Sequence, residues 1–281
     1  MARLNPLVPM VKVIRQDDGS LSLIKRSDAV SAEEPLEIRL NGQSVSSTMR
    51  TPGHDLELAH GFLYSEGIIR SAQQISQARY CQGATGPAGQ NTYNLLDLTG
   101  RASQPGSLAG GPLRLRSGNS ACGLCGSTSI EESIRRQLSP ISPIRLSPDL
   151  ILSLPHELRS RQKQFKKTGG IHAAAAFNQD GQHLVTREDI GRHNAADKVI
   201  GHLLLADQLP ASGRILVMSS RASFELVQKA VIAGFSALLA VSASSSLAVE
   251  LAQKTGLTLI AFTREKSFNV YAGELDLSAG G

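Results

Sequence analysis

The sequence predicts an α/β protein, with a smaller α+β lobe at the N-terminus and a C-terminal lobe built on a mixed, largely parallel sheet. Three observations predict it. Between residues 214 and 262, apolar runs of strand length alternate with helix-length segments, the pattern of right-handed crossovers between parallel strands. Before residue 50 the chain reads instead as hairpins, the clearer one joining 36–40 to 45–49 through Asn41-Gly42, the dipeptide suited to a type I′ turn. Residues 100–111 are rich in Gly, Ser and Pro, which places one lobe at 1–113, a mobile cysteine-bearing loop at 114–126 and the second lobe at 127–281.

Taken in order, 11–14 and 21–25 pair across Asp17-Asp18-Gly19-Ser20 as a first hairpin. Thr51-Pro52 opens a helix with Asp55 and Glu57 in its first turn, where the helix dipole favours anions. Leu56, Ala59, Phe62 and Leu63 repeat there at helical spacing until Glu66-Gly67. A short strand ends at Tyr80-Cys81, and 92–98 is extended. Ser127 or Thr128 caps a helix running to Leu138, with Ile130, Ile134 and Leu138 on one face. Pro140, Pro143, Pro148 and Pro155 break up the next stretch, and a helix over 156–167 ends at Gly169-Gly170. Its Arg159, Arg161, Lys163, Lys166 and Lys167 read as a solvated face. A third hairpin joins 172–177 to 183–187 through Asn178-Gln179-Asp180-Gly181, and strands at 214–218, 237–241 and 257–262 then enclose helices at 223–233 and 247–254.

With 281 residues, 41% hydrophobic and 19% charged, the chain has the composition of a soluble globular protein. No apolar run approaches the roughly 20 residues of a membrane span, and the first residues lack a secretory core, so the expected compartment is the cytoplasm. Three cysteines are too few for a disulfide framework. A net charge of +5 favours anionic ligands, but 4% aromatics, no Trp and no nucleic-acid motif argue against nucleic acid.

Chemistry concentrates in three places. Cys122-Gly123-Leu124-Cys125 sits among glycines, after Arg114 and Arg116, where two thiols have no packing face; Cys81 reads as a small buried apolar residue. The pair suits a zinc half-site, a redox dithiol or a sulfur carrier, because the thiolate is both ligand and nucleophile. A zinc-dependent deaminase needs His-x-Glu and Pro-Cys-x-x-Cys, whereas His54-Asp55-Leu56-Glu57 is one residue too long and Ala121 replaces the proline. A thioredoxin-like pair belongs directly after a strand, and here a long loop precedes it. Second, Ser219-Ser220-Arg221, 242–246 and Thr263-Arg264-Glu265-Lys266 follow the parallel strands, where carboxyl ends form a crevice suited to phosphate; plain helix capping by serine is the simpler account of Ser246. Third, Glu188-Asp189-Ile190-Gly191-Arg192-His193-Asn194 is unusually dense in groups that bind or transfer protons.

Five ordered motifs carry a resemblance to a known family: Cys122-Gly-Leu-Cys125-Gly, Gly170-Ile-His172-Ala, Glu188-Asp189-Ile-Gly191-Arg192-His193-Asn194, Ser219-Ser220-Arg221-Ala-Ser-Phe-Glu225 and 257–262. Together they resemble the formate dehydrogenase accessory sulfurtransferase family, FdhD/NarQ, over about residues 20–272. The resemblance implies a cytoplasmic homodimer with a deaminase-like three-layer C-terminal lobe, holding no metal of its own. It implies sulfur accepted from a cysteine desulfurase as a persulfide on Cys122, with Cys125 as the second cysteine. The acceptor it implies is the molybdenum cofactor, bis-molybdopterin guanine dinucleotide, destined for formate dehydrogenase. The cofactor-binding segment corresponds to Phe262, Thr263, Arg264, Glu265, Lys266 and Ser267; relatives often carry Gly-Arg late in it, and here Arg264 or Lys266 supplies the positive charge. Ser220, Arg221, His172, Asp189, Arg192 and His193 are expected around the same pocket, Arg192 on phosphate; the alternatives are an Asp189–Arg192 ion pair and a hydrogen-bonded core role for His172. A cofactor-binding chaperone without sulfur transfer is the competing function, and a zinc deaminase a distant third.

Overall fold

The computed structural model describes residues 4–81, 93–101, 126–137 and 139–278. The proposed lobe boundary and both Cys122 and Cys125 lie outside these residues. The chain begins with the expected hairpin, β1 (Leu7–Arg15) against β2 (Leu21–Ala29). The second hairpin, β3 (Glu34–Leu40) and β4 (Gln43–Arg50), turns through Asn41 at φ 53° and Gly42 at φ 77°, the two left-handed residues that a type I′ turn demands. After α1 (Asp55–Ser65), β5 (Ile75–Tyr80) and β6 (Leu95–Gly100) complete a four-stranded sheet in the order β4-β3-β6-β5. Ala59 and Leu63 of the expected apolar face are buried, but Leu56 is exposed, and Leu58 and Tyr64 are buried in addition.

The rest comprises α2 (Gly126–Arg136), β7 (Arg145–Leu146), α3 (Pro148–Arg161), α4 (Lys163–Thr168), β8 (His172–Asn178), β9 (His183–Asp189) and α5 (Arg192–Leu205). It continues with β10 (Arg214–Met218), α6 (Phe224–Ile232), β11 (Ala237–Ala240), α7 (Ser246–Thr255), β12 (Thr258–Arg264), β13 (Ser267–Ala272) and β14 (Glu274–Leu275). The main sheet runs β13-β12-β11-β10-β8-β9. Its parallel part is β10-β11-β12, and β8, β9 and β13 join antiparallel, so the sheet is mixed with a smaller parallel share than the alternation suggested.

Strand side chains alternate between two cores, as the two-residue period requires. Ala174, Ala176, Leu216, Met218, Leu238 and Ala240 face the helices α5, α6 and α7, in a core that continues through α1 to Leu36, Ile38 and Leu96 of the N-terminal sheet. Ala173, Ala175, Phe177, Ile215, Val217 and Leu239 face α3 through Ile151, Leu154 and Leu158. The lobe is therefore three-layered, helix on sheet on helix. Between α1 and α5 the backbones touch: a Cβ on Gly61 would lie 1.9 Å from Asp197 O, and one on Gly201 1.8 Å from Glu57 O.

Two elements differ from the sequence reading. Pro148 starts α3 rather than breaking the chain, and Pro155 lies inside that helix. The expected single helix over 156–167 is instead the end of α3 and the whole of α4, divided at Gln162. Burial of Ile151, Leu154 and Leu158 against the sheet outweighs the one backbone hydrogen bond that Pro155 forfeits. The segment after 262 is also no terminal loop. β12 continues to Arg264, turns at Glu265-Lys266 and returns as β13.

Candidate functional site

The carboxyl ends of β10, β11 and β12 and the amino end of β8 meet at one edge of the main sheet, as strand polarity dictates. A cleft of ≈ 1180 Å³ opens there. Its sheet side is lined by His172, Ser219 and Thr263 through Ser267; its other wall is the α3–α4 segment, with His156, Arg159, Gln162 and Phe165. Ligand crevices in sheets with parallel crossovers form at this edge because the strand termini splay and leave backbone and side chains free.

Local backbone geometry shapes the β12 side. Phe262 adopts φ 53°, an unusual left-handed conformation for a bulky residue, at a register irregularity between Ala261 and Arg264. Such a bulge re-aims the residues beside it. Thr263 lines the cleft, whereas Phe262 does not. Phe262 is held by donating its backbone N–H to Ser242 O at 3.0 Å. Arg264 and Lys266 on this side and His156 and Arg159 on the other leave Glu265 as the only carboxylate among the lining residues, so the cleft suits an anion.

His172 sits half-buried at the mouth of β8. Burial, with the adjacent positive charges of Arg192 and His193, holds its pKa below the usual imidazole value, against the opposing pull of Asp189, and favours the neutral ring. Two further polar groups are unusual. Gln162 Nε2 and Thr263 Oγ1 are buried with no hydrogen-bond partner among the described residues.

The remaining expected residues do not line this cleft, and Arg221 among them is exposed. His193 Nε2 meets Glu225 Oε2 at 2.9 Å, and that contact draws the Glu225 carboxyl below its ordinary pKa. Ser220 is buried, donating its hydroxyl to Arg221 O at 3.1 Å. Arg192 keeps a buried Nε with no partner among the described residues. The Asp189–Arg192 pair is not formed: Asp189 is fully buried and bonds Lys198 Nζ at 2.7 Å, Thr51 N at 3.1 Å and Gly191 N at 2.8 Å. Its carboxylate is thus satisfied within the protein.

The same holds for most of the charge-dense segment. Glu188 accepts from the backbone N–H groups of Gln164 and Phe165, both at 2.8 Å, and so caps α4. Asn194 Nδ2 donates to Met49 O at 2.8 Å and Asp189 Oδ1 at 3.1 Å. Asp197 bonds Lys229 at 2.7 Å and Ser65 at 3.0 Å. These contacts tie β4 and α1 to α5 and α6. The cleft residues that the sequence reading missed are His156, Arg159, Gln162 and Phe165, the first two read as part of a charged helix; the nearest signal was Gly169-Gly170 leading straight into His172. Among the described residues no cluster of His, Cys, Asp and Glu has the makings of a metal site, and no helix is long and apolar enough to cross a membrane.

The sequence profile of the FdhD/NarQ family matches residues 31–277. The chain belongs to that family. A Corynebacterium efficiens protein named sulfur carrier protein FdhD is 54% identical over 253 residues, covering 89% of this chain and 91% of the relative. A protein of the same name from Streptomyces avermitilis is 50% identical over 268 residues, covering 94% and 93%. The crystal structure of a protein assigned as a formate dehydrogenase accessory protein, from Desulfotalea psychrophila, superposes with a TM-score of 0.70 at 23% identity, covering 95% of this chain and 97% of that one. The two share their fold over nearly the whole of both chains.

Proposed function

We propose that this FdhD/NarQ protein is a cytoplasmic sulfurtransferase that carries sulfur on Cys122 to bis-molybdopterin guanine dinucleotide, before that cofactor enters formate dehydrogenase. The observation that carries the reading is the cleft: a basic crevice at the carboxyl ends of parallel strands, lined by the 263–267 segment. The sulfur-carrier name of its relatives supports the other half.

In the first step the Cys122 thiolate attacks the outer sulfur of a persulfide on a cysteine desulfurase. One S–S bond breaks and one forms, and the donor cysteine leaves as a thiolate, so no external oxidant is needed. In the second step the S–S bond of the persulfide breaks with its electron pair left on Cys122 as a thiolate, and the outer sulfur is taken at the sulfane level by an electron pair that the acceptor supplies. This chain's own groups orient the acceptor: Arg264 and Lys266 face its phosphates, and neutral His172 offers a hydrogen-bonding nitrogen at the rim. Cys125 stands ready as a second thiol, and the protein acts as a homodimer.

The decisive experiment is peptide mass spectrometry after incubation with a cysteine desulfurase and cysteine. A reducible gain of one sulfur on the Cys122 peptide is expected, and Cys122→Ala should abolish formate dehydrogenase sulfuration while still binding guanine nucleotide. No gain with a competent donor present, or full client activity with Cys122→Ala, would leave a cofactor-binding chaperone, the reading that the cleft alone supports.

A further inference from the structure

Most buried polar side chains among the described residues are satisfied, as in the Asp189 and Asp197 networks. Asn5 Oδ1, Gln164 Oε1 and Arg192 Nε also lack a partner among the described residues, but only Gln162 and Thr263 do so among the residues that line the cleft. Gln162 is 2% exposed and Thr263 1%, both line the cleft, and each keeps an unpartnered donor atom. An unsatisfied buried donor destabilises the free chain, so its retention needs a reason.

Thr263 belongs to the segment already assigned to the ligand's anionic part. Gln162 comes from the opposite wall, at the joint where α3 ends and α4 begins. Its ψ of 82° leaves the helical region, while its backbone stays engaged, donating to Arg159 O at 3.3 Å and accepting from Lys166 N at 3.1 Å. The joint is braced on both sides. Arg159 Cζ stacks 3.6 Å over the Phe165 ring, linking the last turn of α3 to α4, and Glu188 pins the start of α4. A side chain on so fixed a support is held for recognition rather than left to adapt. A carboxamide can donate to phosphate too, but Arg264 and Lys266, on the other wall, already supply the charge that phosphate needs. The carboxamide suits the neutral hydrogen-bonding edge of a heterocycle.

We infer that Gln162 is a specificity-determining contact, donating its side-chain amide hydrogen to a carbonyl oxygen on the heterocyclic base of a nucleotide-containing ligand, while the 263–267 segment holds the anionic part. The inference rests on the nucleotide-cofactor reading above. A base with a carbonyl acceptor satisfies the orphan donor as it stands, whereas one with an amino group in that place is met only if the carboxamide turns over, which puts the amide out of its buried position.

The test is calorimetric titration of the full chain with GDP, ADP and pyrophosphate, together with thermal unfolding. Wild type should prefer GDP to ADP by about tenfold or more, the worth of roughly 1.4 kcal/mol. Gln162→Met should lose about tenfold in GDP affinity, keep its ADP and pyrophosphate affinities, and unfold at a temperature equal to or above wild type, because an unsatisfied donor has been removed. Gln162→Leu repeats the measurement with a smaller side chain should methionine overfill the joint. Unchanged GDP affinity and preference in a folded variant would overturn the inference and leave the cofactor reading intact. Failure of wild type to bind either GDP or pyrophosphate would overturn both.

Discussion

The segment from Glu188 to Lys198 and the wall of the cleft look alike in sequence, both crowded with charged and amide side chains, yet they do opposite work. In the first, Glu188, Asp189, Asn194, Asp197 and Lys198 all spend their polar atoms on partners inside the protein. In the second, exposed Arg264 and Lys266 line the cleft, and buried Gln162 and Thr263 keep donors unmet. Charge density therefore marks scaffold as readily as site. What separates them is how much of the hydrogen-bonding capacity is used up, with Arg192 Nε the unmet group in the first.

The sharpest way to break this contrast is to unpair the scaffold. Lys198 is 1% exposed and bridges Asp189 to the backbone of Thr51, so Lys198→Met strands a buried carboxylate. Removal of one partner of a buried pair costs about 3–5 kcal/mol. Urea unfolding should register that loss. A stability change below about 1 kcal/mol would mean that the junction is not the scaffold described, and its charges would return to the candidates for ligand binding.

The α1–α5 crossing probes the same scaffold more gently. Gly201→Ala places a methyl group where Glu57 O now lies, and backbone cannot swing aside as a flexible side chain can. The helices must separate, at a cost of about 1–3 kcal/mol by the usual scale of overpacking. Thermal unfolding should fall accordingly, with GDP affinity unchanged at temperatures where the variant is folded. A drop in affinity without a drop in stability would show that the crossing communicates with the cleft.

Much of this fold was legible because local rules and tertiary packing agree. Asn41-Gly42 declares its hairpin, and three apolar runs separated by helices place the parallel strands and hence the edge where the cleft opens. The continuity of α3 was not legible, because Pro155 signals a break that only burial against the sheet overrides. Asp189 could not be assigned from sequence either: its partner Thr51 lies 138 residues away, while Arg192, three positions along, offered the obvious mate. Of the cleft, the 263–267 side was readable from its place after a strand, and the Gln162 wall was not. A helix carrying Arg159, Lys163 and Lys166 does not reveal which of them meets solvent, and an unmet hydrogen bond exists only in three dimensions.

The smallest expected effect concerns His172, where the two regions meet. Burial and the nearby Arg192 and His193 lower its pKa, with Asp189 opposing them. In the unfolded chain the same ring titrates near the ordinary value of about 6.5. Below that pH the unfolded state binds the proton first, so His172 contributes stability above about 6.5 that is lost as the pH falls through its lowered folded value. Bound phosphate acts in the other direction, since an anion in the cleft stabilises the imidazolium and raises the pKa of the complex. Ligand binding should then take up a proton, and GDP affinity should strengthen as the pH falls from about 7 toward the lowered pKa. The gain should be a few-fold, since a tenfold rise in the ring's proton affinity on binding strengthens ligand affinity by at most about tenfold. The phosphate of GDP titrates in the same range, which is why the quantity to compare is the difference between wild type and His172→Gln. That difference should shrink to nothing at alkaline pH and grow on acidification. Parallel pH profiles for the two proteins would place His172 with the satisfied scaffold residues rather than at the anion, and would move the line between the two regions to the outer side of β8.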